Sequence, residues 1–593
     1  MECASVSFSG GGLKFWLEAY STATQTNVSF TPKVTDANVS AVIKPKGTGA
    51  LLASIPDGTA TGGNARGAYA VDLQMSRSAA TQIAGGAYSF IGSGQSNTVS
   101  GTYSNIAGGS GNTISGSSYS TIAGGSNNKM NQGSQSWLFI GGGSGNEVRN
   151  GYGVVCGGFA NICGQGGGYT HGVSFVGGGE SNYVYANHGT LAGGLSNLVS
   201  NNYASITGGR SNTSSGGYAF IGGGQTNTAS NTWSFVGGGQ SNTASGQWGT
   251  IGGGRQNTAS NSYGTVAGGY ANNVSGQFSF IGGGNQNVAG FTNDTICGGE
   301  QNSLTGTNNS AHRFIGGGVR NTVNAEQSSG ATICGGNGNT MYAGSAAGFI
   351  GGGGNAAFPG GNFLCGTNSA LVGGVGNQIG GKANFQTSIS SFLGGGENNI
   401  INQGADYCVI SGGVQNSINT NIDFGIITGG YQAVVSLYGQ QAHACGRFAA
   451  NGDAQAHELI WRRAITGTAQ TQLFLDGSST AAILPGTNAV WHGIIDISSI
   501  CTVTGAGTTV VGDVAATSYK VTIKRIGTAT SLVGTVQEIG TLNANTSMAA
   551  VAFLIDNNDT NESLRIQFTP PPTAAADTVI RVVATFRGQQ IQY

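Results

Sequence analysis

The sequence predicts an all-β protein, a long parallel β-solenoid shaft followed by a carboxy-terminal β-sandwich or jelly roll. Three observations predict it. A motif containing glycines, an asparagine and an aromatic residue recurs at about 15-residue spacing through residues 91–445. Glycine supplies 110 of 593 residues while charged residues are only 8%, against typical shares of ~7% and ~25%. Beyond the array the glycines thin out and short runs of alternating apolar and polar residues take over, as in HELIWRRAI, SYKVTIKRI and TVIRVVATF.

The array is plainest from Phe220 to Ser260, where FIGGGQTNTASNTWSFVGGGQSNTASGQWGTIGGGRQNTAS gives nearly the same unit three times. The template is an apolar residue, glycines two and three positions on, Asn at offset six and a small or β-branched residue at offset eight. Its first position falls 21 times between Ile91 and Ile427, with eight consecutive steps of 15 from Val176 to Ile296. Longer steps are read as insertions after the NTAS segment, which predicts loops on one face of the shaft. Such a period is too short for helix-pair repeats, and each glycine would cost a helix ~1 kcal/mol.

Two short strands and two turns fit the period. The first position and offset eight then point inward, and glycine serves where φ is positive. Asn at offset six is expected to take the left-handed conformation, to bond local backbone and to stack along the array, as Asn97, Asn112, Asn212, Asn227, Asn242, Asn257, Asn272 and Asn287. At offset twelve Tyr203, Tyr218, Trp233, Trp248, Tyr263 and Phe278 predict an aromatic ladder joining coil to coil or chain to chain, with His188 as a substitute ring. Copies stacked at ~4.8 Å make a rod of roughly 100 Å. Its core is thin, because inward slots such as Ala229, Ala244 and Ala259 hold only a methyl group. Side-by-side association of chains into an oligomer is therefore expected.

The flanks differ from the array. Residues 1–60, with Trp16, Phe30 and few glycines, form an expected attachment domain; 61–90 is a lead-in, 91–445 the shaft and 446–593 the carboxy-terminal domain. A formal charge of −1 without a basic run removes the electrostatic footprint of nucleic-acid or anionic-membrane binding. The opening MECASVSFSGGGLKFWLEAY lacks the apolar core of a secretory signal, so synthesis in a cytoplasm is expected. No apolar run approaches the ~20 residues of a membrane span. Nine cysteines without a C-x-x-C pair fit neither a disulfide framework nor a zinc site; Cys156, Cys297 and Cys334 are expected to be small core residues.

Chemistry is not apparent. No lysine follows a glycine triplet at phosphate-loop spacing. His443 and His457 bracket the expected domain junction and are the histidine pair to test for a metal. Asp453, Glu458, Asp476 and Asp496 are the acidic residues from which a glycoside-cleaving pair would come. IDNNDTNES, Ile555 to Ser563, has oxygens but no EF-hand spacing. The expectation is no enzyme, no cofactor and no metal. Trp461 and Trp491 are the candidate receptor anchors, weighed against a core role for each.

Units such as SFVGGGQSNTASG, from Ser234, resemble the parallel β-roll repeats of trimeric autotransporter adhesin heads and of tail fibres of tailed bacteriophages. GTGALLASIPDGTATGGNARGAYAVDLQMSRSAATQIAGGAYSFIG, from Gly47, resembles the lead-in to such arrays in phage fibres. NGDAQAHELIWRRAITGTAQTQLFLDGSS, from Asn451, and VIRVVATFRG, from Val579, resemble a β-rich closing module. The resemblance implies a homotrimeric virion tail fibre or spike. Its amino end would meet a tail or baseplate protein, and its carboxy-terminal domain would meet a host surface glycan or outer-membrane receptor. The alternatives are a bacterial surface trimeric adhesin, a glycan depolymerase tailspike and an ice-binding rod that uses the outward Thr and Ser of NTAS.

Overall fold

The computed structural model describes residues 45–592, apart from segments 131–135, 165–171, 307–311, 325–328, 355–359, 382–386, 475–488, 504–509 and shorter gaps of up to four residues. Trp16, Phe30, Asp453, Asp476 and Tyr593 lie outside the described residues, as does the middle of the Ile555–Ser563 loop.

Each coil of the shaft contributes one short strand to each of two parallel sheets. Phe220–Ile221 pairs in register with Phe235–Val236, and Thr228–Ala229 with Thr243–Ala244. All 21 predicted first positions are the buried second residue of a strand. The offset-eight residues, including Ala229, Ala244 and Ala259, are buried across from them, with Leu364 taking that place after Ile350. The parallel ladder also reaches into both flanks. Leu51–Leu52 and Val71–Asp72 precede the first copy and Gln441–Cys445 follows the last, so 24 strands stack in the first sheet. At ~4.8 Å per step this gives a rod of roughly 110 Å. In the Val71–Asp72 coil a carboxylate replaces the apolar side chain. Asp72 is buried between Arg66 at 2.8 Å and Arg77 at 3.1 Å, which supplies the countercharge a buried carboxylate needs.

The third glycine of each triplet has a steric reason. Gly239 sits at φ +92°, and a Cβ there would lie 2.0 Å from the Gly254 carbonyl oxygen of the next coil. The asparagine is not the left-handed residue. That conformation falls on the residue before it, as at Thr226 with φ 56° and Ser241 with φ 56°. The change frees the Asn side chain to point into the stack, where it is fully buried. Asn227 Oδ1 accepts the Asn242 backbone N–H at 3.0 Å, and Asn227 Nδ2 donates to the carbonyls of Gly223 and Gly239, both at 2.9 Å. Each amide thereby satisfies groups in its own coil and the next, which is what a buried polar group must do.

The ladder is more constant than the spacing. After Ile350 the extra residues fall before the asparagine and not after it, yet Asn362 still donates its backbone N–H to Asn339 Oδ1 at 3.0 Å. Gln74 starts the ladder by accepting the Asn97 N–H, and Ala433 ends it by donating to Asn416 Oδ1. Cys156, Cys297 and Cys334 are corrected by the pleat. They follow the inward residue directly, so they point outward and are exposed.

The first sheet passes into the carboxy-terminal domain by backbone hydrogen bonds. Gln441–Cys445 pairs parallel with Ile426–Tyr431 on one edge and antiparallel with Ala454–Thr466 on the other. The antiparallel order then runs Ala454–Thr466, Val579–Gln592, Ala489–Val503, Val514–Ile526. A second sheet of Thr471–Gln472, Ser563–Thr569 and Ala552–Asn558 packs over it. Trp461, Trp491, Phe568 and Phe586 fill the core between the two. No helix in the described residues is long and apolar enough to cross a membrane.

Candidate functional site

The outward face of the large carboxy-terminal sheet is where the described residues gather chemistry. Alternation along Ala454–Thr466 sends His457, Leu459 and Trp461 inward and Glu458, Ile460 and Arg462 outward. Register then aligns Gln441, Glu458, Arg587, Ile494 and Lys520 across five neighbouring strands. Arg587 stands between two of the carboxylates singled out from the sequence, 3.5 Å from Glu458 and 3.9 Å from Asp496. Asp496 also accepts the Ser518 hydroxyl at 2.5 Å. All three charges are solvated, which suits polar recognition at a surface. Two open grooves of about 310 and 240 Å³ meet at His443 and Ala456, where the sheet changes from parallel to antiparallel pairing.

Trp461 and Trp491 do not face this surface. They are 1% and 2% exposed, because both occupy inward positions of the pleat. The Trp491 indole N–H is satisfied by Gln590 Oε1 at 2.9 Å, the partner a buried indole requires. As described, neither ring is presented to a receptor. The two histidines also diverge. His443 is outward and exposed, with Nε2 3.8 Å from Cys445 Sγ. His457 is buried, and its ring packs 4.5 Å from Trp491 and 5.3 Å from Phe586 between ring centroids. Burial lowers its pKa from 6.5 to about 4, so it is neutral near pH 7. Among the described residues, no three His, Cys, Asp or Glu side chains converge as metal ligands would. Asp556, in the loop weighed for calcium, is paired with Arg565.

The aromatic ladder lies on the shaft. From His188 through Tyr203, Tyr218, Trp233, Trp248 and Tyr263 to Phe278, successive rings stack with centroids 4.1 to 6.3 Å apart. A second run links Tyr69, Tyr88, Tyr103, Tyr119 and Trp137. Every one of these residues is in the left-handed region, for instance Trp233 at φ 61°. A bulky side chain seldom adopts it. The stack thus joins coils within one chain, and each ring has its faces covered by its neighbours and only its edge in water. Ring faces for stacking on sugars are therefore free only at the ends of a run.

Arg587 was missed by sequence reasoning, since VIRVVATFRG shows only alternation; the register alone places it between Glu458 and Asp496. Asp294 and Arg313 were missed as well. They occupy one core position in successive coils and form a buried ion pair at 2.6 Å.

The fold and this surface define a β-solenoid rod ending in a two-sheet domain with a charged outer face. No protein family and no curated protein matches the chain. Among solved structures it is similar to a tailspike protein, gp49, of Acinetobacter baumannii bacteriophage Fri1, described as a capsular polysaccharide depolymerase. The identity is 8% and the TM-score 0.16, over 82% of each chain. It is also similar to the tailspike of Acinetobacter baumannii phage AM24, at 9% and 0.16 over 76% of this chain and 78% of that one. The tailspike of Acinetobacter phage vB_ApiP_P1 stands at 10% and 0.16, over 83% and 82%. Likenesses this distant say nothing of activity.

Proposed function

We propose that this chain is a homotrimeric tail fibre of a bacteriophage virion that adheres to the host surface through its carboxy-terminal domain. The observation that carries the reading is mechanical. A rod of 24 stacked strands runs by hydrogen bonds, without a linker, into a domain whose outer face is the first charged stretch of the same sheet. Such a molecule holds a polar recognition surface at a fixed distance from its opposite end. The repeat resemblance to phage fibres adds the setting, with the amino end on a tail or baseplate protein and a surface glycan or outer-membrane receptor at the tip. Adhesion needs no catalysis here. Linked weak sites on several copies multiply affinity by roughly 10²–10⁴.

The test uses the whole protein. Purified chain competes with phage particles for adsorption, and Arg587→Glu, which reverses the central charge of the tip face, weakens that competition at least about tenfold, or ~1.4 kcal/mol. Substitutions of the shaft loops leave it unchanged. Loss of competition from the loop substitutions alone moves the receptor site to the shaft. Steady release of reducing sugar from host envelopes replaces adhesion with glycan cleavage.

A further inference from the structure

The outward face of the shaft's first sheet carries a regular pattern of its own. In each coil the residues just before and just after the buried first position point outward. Across the 21 repeats neither position is ever charged. Charges fall elsewhere on the coil, as at Lys129 and Glu147 on the second sheet and Arg210 and Arg255 at the glycine turn. The preceding position is Phe in nine repeats, and all nine have Gly two residues later, from Phe90 and Gly92 to Phe392 and Gly394. The other twelve have a smaller or non-aromatic residue first and, with the single exception of Thr250 and Gly252, a side chain second. Examples are Thr265 with Ala267 and Thr295 with Cys297.

Each Phe ring lies against the glycine that follows it. The Phe235 ring lies over Gly237, with its Cε1 3.5 Å from where a Cβ would stand; the same distance is 3.4 Å at Gly282 and 3.3 Å at Gly351. A Cβ at these glycines would meet the next coil's carbonyl oxygen first, at 2.3 Å, as it would at Gly252, which has Thr250 before it; the ring lies just beyond, in van der Waals contact over the glycine. Phenylalanine laid flat over glycine, or threonine beside alanine, keeps the face level from coil to coil. Water imposes no such condition, whereas a packed surface does. Phe235, Phe280 and Phe392 are nevertheless 39–40% exposed in the single chain.

We infer that this level, uncharged strip is the surface along which copies of this chain pack in the assembled rod. The occupant is a second copy because the strip repeats at the strand spacing, and a partner must carry the same period to meet it over its length. The area is sufficient. A strip roughly 10 Å wide and 100 Å long hides about 1,000 Å² per copy, against ~800 Å² per partner in an ordinary stable interface. The inference deepens the trimer of the proposed function by assigning its surface, and it stands whether or not the tip binds a host.

The experiment measures mass and thiol access on the full-length protein. Sedimentation of the parent shows a multimer, and Phe235→Glu with Phe280→Glu yields a monomer with unchanged β circular dichroism. The matching control, Thr228→Glu with Thr243→Glu on the opposite sheet, keeps the parent mass. Cys156, Cys297 and Cys334 lie on the proposed strip. In the parent each should react with a maleimide at least about tenfold more slowly than a thiol introduced by Ser230→Cys on the other face. This second measurement holds even if the charged variant fails to fold. A monomeric parent at micromolar concentration overturns the inference. So do a folded Phe-to-Glu variant of parent mass, loss of mass in the control, or equal thiol rates; failure of host binding alone overturns only the receptor reading.

Discussion

Shaft and tip share one continuous sheet and are held together by different means. In the shaft each coil contributes two strands of about two residues and buries little more than one aliphatic side chain per strand, as with Ile251 and Ala259. Order comes from repetition, with an asparagine amide tying coil to coil and stacked aromatic rings adding to it in two long runs. In the tip four strands of 13 to 15 residues run antiparallel, and Trp461, Trp491, Phe568 and Phe586 fill one core. A sheet can be stabilised along its length by many small equal terms or at one place by a few large ones. The first arrangement tolerates insertion at many coils, and the second carries a specific surface.

The contrast is sharpest at Trp461, where truncation to Ala should cost ~3–5 kcal/mol of tip stability, the usual loss for a large buried aromatic. Calorimetry should show the tip transition collapse while the shaft transition stays in place. Equal shifts in both would mean that the two regions unfold as one unit and that the comparison is false.

Acid should also act on the tip. The folded pKa of His457, about 4, lies below its unfolded value of 6.5, so its contribution is complete above pH 6.5 and is lost as pH falls towards 4. The loss over that interval is roughly 3 kcal/mol. His457→Leu should flatten the dependence of tip melting on pH between 7 and 4. A tip transition that stays level from pH 7 to 4 in the parent would remove His457 from the account.

In the shaft a single change should cost less. Asn227→Leu strands the Asn242 N–H and the Gly223 carbonyl, while the Gly239 carbonyl keeps the Gln225 N–H, at about 2 kcal/mol. Hydrogen exchange should report the damage at the Asn227 coil and its two neighbours, with distant coils and the tip still protected. Opening that spread along the whole rod would show long-range cooperativity in place of neighbour-to-neighbour stacking.

The smallest effect is expected at Trp233→Gly. The variant loses stacking on Tyr218 and Trp248, worth ~0.5–1.5 kcal/mol per pair, and gains relief from a left-handed backbone that costs a non-glycine residue ~1–2 kcal/mol. Mid-range, roughly 2 kcal/mol of stacking is set against roughly 1.5 kcal/mol of relief, so shaft stability should change by only about 0.5 kcal/mol. Trp233→Ala keeps the strain and loses the stack, so it should be the worse of the two.

The period, the inward positions and the two ladders were legible in the sequence because a solenoid turns local spacing directly into neighbours. Residue 227 meets residue 242 because both stand six places after the start of a coil. The same logic failed where one pleat step matters. Cys297 reads as a small core residue until the strand direction sends it outward, and the left-handed turn falls on Thr226, one residue before the asparagine expected to hold it. In the carboxy-terminal domain composition alone established β structure with large apolar residues, but alternation cannot say which side of a sheet is covered. Only tertiary pairing put Trp461 and Trp491 inside. It also placed Arg587 beside Glu458, 129 residues away in the chain, because antiparallel register over long strands is fixed by the packing of the whole sheet and by no spacing within it.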